Sequence, residues 1–221
     1  MANDFTGKGL LVGAWLLLGG YVSSCSSLAS KEAAIMVERE PETISRHLLE
    51  HASIKLAEMS QAEGALTTWF YRCSNVLAYE IRSESSLNQT VSVEIIVTGV
   101  NMHIGLNMDV FLRGDAPEEL RAHENGHVKI CQLIYQDGEA KARRAAQSVL
   151  GRKFSGAGSG RKQALENALN GASEAICSLY RAETVVLANK TSDAYDKITD
   201  NGRAKLSVED AVEMAFKQRK E

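Results

Sequence analysis

The sequence predicts an α+β fold in which a small antiparallel sheet leads into one long helix, and that helix packs antiparallel on a second long helix. Three observations predict it. Apolar residues alternate with polar ones through Val91, Val93, Ile95 and Val97, and again from Met102 to Leu112, the period of two expected of half-buried strands. From Leu120 to Leu150 they recur at helical spacing, and from Gln163 to Lys190 they do so again. Two such helices joined by one connector pack side by side in opposite directions.

The chain opens with Lys8 and an apolar run, Leu10 to Leu18, that thins out through Gly19 and Gly20. The run is too short for a comfortable membrane span and fits the apolar core of a signal peptide. Val22-Ser23-Ser24-Cys25 follows and looks like a lipoprotein cleavage site. Residues 1–24 are therefore expected to be removed, leaving a lipidated Cys25 that tethers the mature chain to a membrane through acyl chains. The alternatives are an ordinary secretory signal cut near Ser27-Leu28-Ala29-Ser30, or a retained anchor. Each places the protein outside the cytoplasm, and the lipidated form, the one expected, places it in the cell envelope.

Residues 25–62 are expected to form a helical spacer. Pro41 suits a helix start, and Ile44, Leu48, Ala52, Leu56 and Met59 follow at helical spacing. His47 and His51 are four apart, but no acidic residue accompanies them in a catalytic arrangement, so they read as a solvated face.

Residues 63–221 read as one catalytic domain. Thr67 to Tyr71 and Leu77 to Ile81 are strand-like, Ser83 to Ser86 breaks the pattern, and Gly99 with Asn101 marks a turn before the last strand. An exposed edge strand of such a sheet could hold an extended peptide by backbone pairing. His103 falls on the polar face of the last strand. Asp115 can cap the next helix, with Pro117 in its first turn and Glu118 at the capping-box position. Gly151, Gly156, Gly158 and Gly160 lie in a basic stretch without the spacing of a phosphate loop, so a mobile connector is expected there. Folding the two helices about that connector places Cys131 near Cys177, predicts a disulfide between them, and leaves Cys73 unpaired.

The chemistry lies in Arg121-Ala122-His123-Glu124-Asn125-Gly126-His127-Val128. Residues four apart share a helix face, so His123 and His127 can aim two imidazoles at one point. Neutral imidazole is a good zinc ligand. Glu124, just after the first histidine, is placed to take a proton from zinc-bound water and later return it to a leaving amine. Gly126 costs about 1 kcal/mol against alanine in a helix interior and so predicts the close passage of another backbone. A catalytic zinc takes three protein ligands and keeps one position open. No histidine follows His127, so a downstream third ligand must be a carboxylate: Glu174, Glu183, Asp193, Asp196 or Asp200. The antiparallel arrangement puts Glu183 nearest the level of the two histidines.

His123-Glu124-Asn125-Gly126-His127 on a helix after a short sheet, followed by Tyr195-Asp196-Lys197-Ile198-Thr199-Asp200-Asn201-Gly202, resembles a family of exported bacterial proteins described as zinc-dependent proteases. The likeness covers about residues 65–203. It implies a zincin-like fold, Asp196 as the third zinc ligand ahead of Glu183, and Tyr195 as a hydrogen-bond donor to the tetrahedral intermediate. The family pattern has a histidine before the final glycine; this chain has Asn201.

The sequence thus predicts a zinc metalloprotease of the cell envelope that acts on a peptide or protein substrate. The alternatives are a non-catalytic, zinc-stabilised envelope binding protein or an amidase acting on cell-wall peptides. A net charge of −3 gives no basic footprint for nucleic acid.

Overall fold

A computed structural model describes residues 34–49 and 64–218. Its spine is one strand, β4 (Thr90–Leu112), which runs unbroken for 23 residues. The equally long β3 (Ala65–Leu87) pairs antiparallel with it from end to end. The two join at Asn88-Gln89, both with positive φ, which matches the turn twist to that of the strands. Because β3 occupies one edge of β4 throughout, the other edge is shared. β5 (Lys153–Gly158) pairs antiparallel with residues 91–96, β1 (Ile35–Arg39) parallel with residues 100–104, and β2 (Thr43–Leu48) parallel with residues 107–112.

The sheet is therefore mixed, and several expectations need correction. Residues 35–39 and 43–48 are strands, not a helical spacer: backbone pairing to the open edge of β4 overrides their helical spacing. His51 and the rest of the predicted spacer, like residues 1–33, lie outside the described residues. Gly99 and Asn101 stay inside β4, where Gly99 faces Ala78. Ser83 to Ser86 continue β3 past a register shift between Ile81 and Ser83. The glycine-rich connector contains β5.

Helices follow β4 in order: α1 (Glu118–Gln136), α2 (Gly138–Gln147), α3 (Arg161–Glu183), α4 (Val185–Thr199) and α5 (Val208–Gln218). Each predicted long helix is thus two. The first breaks at Asp137-Gly138, the second at Thr184. α1 begins at Glu118 with no side-chain cap; Asp115 instead accepts a hydrogen bond from Arg113 at 2.7 Å.

The helices bury one face of β4. Met102, Ile104, Leu106 and Met108 are at most 1% exposed and share a core with Ile130, Ile134, Tyr135, Tyr180 and Tyr195. Burying each such aliphatic side chain contributes about 1.5–3 kcal/mol. The tyrosines also tie layers together. Tyr71 donates to the Cys131 carbonyl at 3.0 Å, and Tyr135 to the Glu40 carbonyl at 2.7 Å. The other face of the sheet carries polar pairs, His103 with Glu38 at 3.0 Å and His47 with Asp109 at 2.7 Å, in line with a surface role for both histidines. The disulfide joins Cys73 to Cys177, and Cys131 is a buried free thiol. The predicted pairing fails because α3 lies against the sheet, while α1 packs on α4 and α5.

Candidate metal centre

α1 carries Glu118 and Glu119 in its first turn, where negative charge suits the positive end of the helix dipole. One turn further in, His123 and His127 emerge on the same face, 6% and 7% exposed. Their Nε2 atoms lie 3.2 Å apart. Asp196, reaching across from α4, places Oδ1 3.2 Å from His123 Nε2 and 3.0 Å from His127 Nε2. Ligands held about 2.0–2.1 Å from one tetrahedral zinc lie roughly 3.3 Å from each other, close to this triangle. Among the described residues, this is the group of three His, Cys, Asp or Glu side chains placed to share an ion.

Thr199, one turn beyond Tyr195 and Asp196 on α4, decides the tautomer of His123. Its hydroxyl donates to the Tyr195 carbonyl at 2.8 Å, and its Oγ1 lies 3.2 Å from His123 Nδ1. With its own proton committed, Thr199 accepts from Nδ1–H, so the lone pair of His123 sits on Nε2 and faces Asp196. Burial by itself would push the Asp196 carboxyl up, but the two imidazoles beside it outweigh that and hold it well below the usual carboxylate range. With protons on Nε2 the imidazoles bond Asp196 themselves; with the lone pairs there, a cation between them removes the repulsion. The donor set therefore fits a divalent metal, and an N,N,O set suits zinc.

Glu124 is 5% exposed, and its Oε2 accepts a hydrogen bond from Thr67 of β3 at 2.6 Å. That bond holds the carboxylate on the sheet side of the two histidines. Trp69, also on β3, lies nearly parallel to His127 with centroids 6.1 Å apart and donates from Nε1 to Asn189 Oδ1 at 3.1 Å. Tyr195 is 1% exposed. Its ring stacks on His123 at 5.0 Å and meets His127 edge-on at 5.2 Å. Burial, then the charges of Asp196, Glu124 and Glu209, push its hydroxyl up to about 12, so it is neutral. A Cβ on Gly126 would fall 2.0 Å from that hydroxyl oxygen. Gly126 thus makes room for a side chain, not for the passing backbone that the sequence suggested.

Past α4, Asp200, Asn201 and Gly202 all take left-handed φ values, 48°, 52° and 84°. The chain turns back so tightly that a Cβ on Gly202 would lie 3.0 Å from the Cβ of His123. Asn201, which stands where the resembled family has histidine, donates its backbone N–H to the Asp196 carbonyl at 2.9 Å. The site opens into a cleft of about 820 Å³, walled by the start of β3, the start of α1, the end of α4 and this strap.

Five predicted residues, His123, Glu124, His127, Tyr195 and Asp196, therefore meet in one place. Of the other carboxylates, Glu183 pairs with Arg144 at 2.5 Å, Glu174 pairs with Arg181, and Asp200 pairs with Arg203 at 3.8 Å. Glu183 is the last residue of α3 and is held by α2, not by the helices that carry the histidines and Asp196. Sequence reasoning missed Thr67, Trp69 and Ser192. It quoted Thr199 without giving it a role, although its spacing of three and four from Asp196 and Tyr195 places all three on one helix face. Comparison of the chain with family models, with curated proteins and with solved structures finds no match.

Proposed function

We propose that the chain is a zinc-dependent peptide hydrolase with a zincin-like catalytic domain. One observation carries the reading: Nε2 of His123, Nε2 of His127 and Oδ1 of Asp196 converge at 3.0–3.2 Å beside a buried glutamate, in an open cleft. Three protein ligands with an accessible remaining side are the pattern of catalytic, not structural, zinc sites. His123, His127 and Asp196 would hold the ion. When bound, zinc supplies Lewis acidity that polarises a carbonyl and lets water ionise near neutral pH.

The chain's own groups do the rest. Glu124 takes the proton of the attacking water and delivers it to the departing amine nitrogen. Thr67 holds the Glu124 carboxylate in one orientation, so that it need not reorganise during the transfer. The ring of Tyr195 fills the angle between the two imidazoles and keeps His123 in register. β3 pairs only with β4 among the described residues, and Ala65, Leu66, Thr67 and Trp69 at its start line the cleft. An extended peptide can add to that open edge with its scissile bond over the metal.

We further propose that the protein works in the cell envelope, tethered through Cys25. The lipoprotein-type segment supports this, as does the Cys73–Cys177 disulfide, since such bonds persist in oxidising compartments. No described helix is long and apolar enough to cross a membrane.

The test is metal analysis beside a peptide-hydrolysis assay. Wild-type protein should hold about one zinc per chain and His127→Ala none. Glu124→Gln should keep the metal and lose on the order of 10²–10⁴ in turnover, the range for removing a general base. Full zinc-dependent hydrolysis by Glu124→Gln would refute the reading.

A further inference from the structure

The two metal-binding histidines are not supported alike. His123 Nδ1 has Thr199, whereas His127 Nδ1 is buried with no hydrogen-bond partner among the described residues. An orphaned ring nitrogen is unusual for a ligating histidine, which almost always donates its second N–H to a carboxylate, a carbonyl or water. A buried donor left unmatched is destabilising. A second buried polar atom in the same cleft is also unmatched. Ser192 is 3% exposed, its Oγ has no partner among the described residues, and it lines the cleft with His127.

The helix register brings the two to one level. Thr199 contacts His123, and Tyr195 lies against Gly126 and both histidine rings, so α1 and α4 run antiparallel. Ser192 is one turn before Tyr195 on the same buried face of α4, which carries Ala188, Ser192, Tyr195 and Thr199. One turn back along α4 corresponds to one turn forward along α1, which is the stretch from His127 to Ile130. Trp69 closes the other side of His127 and is itself bonded to Asn189, three residues before Ser192.

We propose that Ser192 is the positioning residue of His127. Its hydroxyl, through one ordered water, accepts the Nδ1–H of His127, as Thr199 accepts that of His123 directly. Ser192 then does for the second ligand what no carboxylate or carbonyl does here. It selects the tautomer with the lone pair on Nε2 and stops the ring from turning away from Asp196. The inference rests on the zinc reading above, and the test separates the two.

The test compares wild type, Ser192→Ala and Thr199→Val as purified protein. Zinc affinity is measured by competition with a chelator, thermal stability without metal, and imidazole N–H protons by nuclear magnetic resonance of the zinc form. Wild type should bind zinc tightly and show two slowly exchanging imidazole N–H signals. Ser192→Ala should lose one of them and weaken zinc binding about 10-fold, towards the 10–100-fold typical of such partners; Thr199→Val should lose the other. Ser192→Ala should cost metal-free stability less than it costs zinc binding, because the ring orientation it fixes matters to the metal more than to the packing of α4. Tight wild-type binding with Ser192→Ala within twofold of it and both signals intact would overturn the role of Ser192. Equal losses of metal-free stability and affinity would reduce it to a structural role. No zinc binding by wild type would overturn the zinc reading itself.

Discussion

The two halves of the β3–β4 ribbon are built on opposite rules. In the half that carries the site, large side chains fill the space: Tyr71, Tyr135 and Tyr195 are at most 3% exposed and interlock with Met102 to Met108. Glycine there is a notch for a ring, as Gly126 is for Tyr195. In the far half, the core is small: Val93 and Ile95 meet Ala164 and Ala168. Glycine there lets backbone meet backbone. A Cβ on Gly156 would fall 2.1 Å from the Ala164 carbonyl oxygen and 2.4 Å from the Ala168 nitrogen. The site half therefore sets side-chain positions, and the far half sets how closely α3 lies on the sheet. The first assembles the candidate metal centre and the second mainly holds α3 on the sheet.

The disulfide links the two regimes and should give the largest effect on stability. Cys73 sits in the site half of β3, and Cys177 lies on α3, whose first turns cover the far half. The bond closes a separation of 104 residues, for which the chain-entropy account gives about 4–5 kcal/mol. Urea unfolding of Cys73→Ala/Cys177→Ala should show a loss of about 4 kcal/mol. Hydrogen exchange should find the far half, with its small core, opening first. Early opening around α1 instead would break the division drawn between the halves.

A pair of single-methyl insertions sharpens it. Gly156→Ala pushes a carbon into backbone that cannot rotate away, so α3 must lift off β5. Overpacking typically costs 1–3 kcal/mol, and this case belongs at about 3 kcal/mol, with zinc affinity of the folded protein unchanged. Gly126→Ala meets a side chain, and it gains about 1 kcal/mol of helix propensity. Its net stability cost should be about 1 kcal/mol. Zinc affinity should nevertheless drop about 10-fold, because the displaced Tyr195 ring no longer backs His123. A common response of stability and affinity in both variants would mean that the halves are not separable.

This division also explains what could be read from the sequence. The alternation of β4, the helix with His123 and His127, and the break in composition around residue 151 are local patterns, and local patterns survive folding. β1 and β2 have helical spacing but a strand's partner, the open edge of β4 some sixty residues away, and local spacing carries no sign of that edge. The break at Asp137-Gly138 was in view as a turn-forming pair, and Gly156-x-Gly158 has the period of a strand face. In both places, continuous helical spacing or glycine content masks the signal in the local pattern. At the site, the histidines and Glu124 followed from spacing, while Asp196 needed the resemblance. Thr67 and Ser192 could not be found, since one Thr or Ser among many gains meaning only when a helix packs over it.

The buried hydroxyls and thiol of the site half predict an alkaline weakness confined to it. Burial pushes Tyr71, Tyr180 and Tyr195 upward, Tyr195 to about 12, and pushes the Cys131 thiol up to about 12 against the lowering effect of its hydrogen bond with Tyr71. Groups raised in the folded state bind protons there that the unfolded chain has released. Their contribution is complete below the unfolded values, about 8.5 for Cys and 10 for Tyr, and is lost as pH rises above them. Stability should be flat from pH 7 to about 8.5 and then fall. Tyrosinate absorbance should appear together with unfolding, and Cys131 should resist thiol reagents until then. Early titration of these groups in folded protein would show the site half to be looser than its packing implies.

The smallest expected effect concerns Tyr195. The resemblance implies a donor to the tetrahedral intermediate, and the structure seats the hydroxyl in the Gly126 notch with the ring on His123. If the ring is what matters, Tyr195→Phe keeps the stack and the edge contact with His127, and turnover should fall less than about fivefold with zinc affinity intact. Tyr195→Ala should then lose both. A donor to the developing oxyanion is worth on the order of 10²–10³ in turnover. A loss of that size in Tyr195→Phe, with metal still bound, would return the hydroxyl to the chemistry. It would also mean that the site half places a reactive group through the same notch by which it positions a ligand.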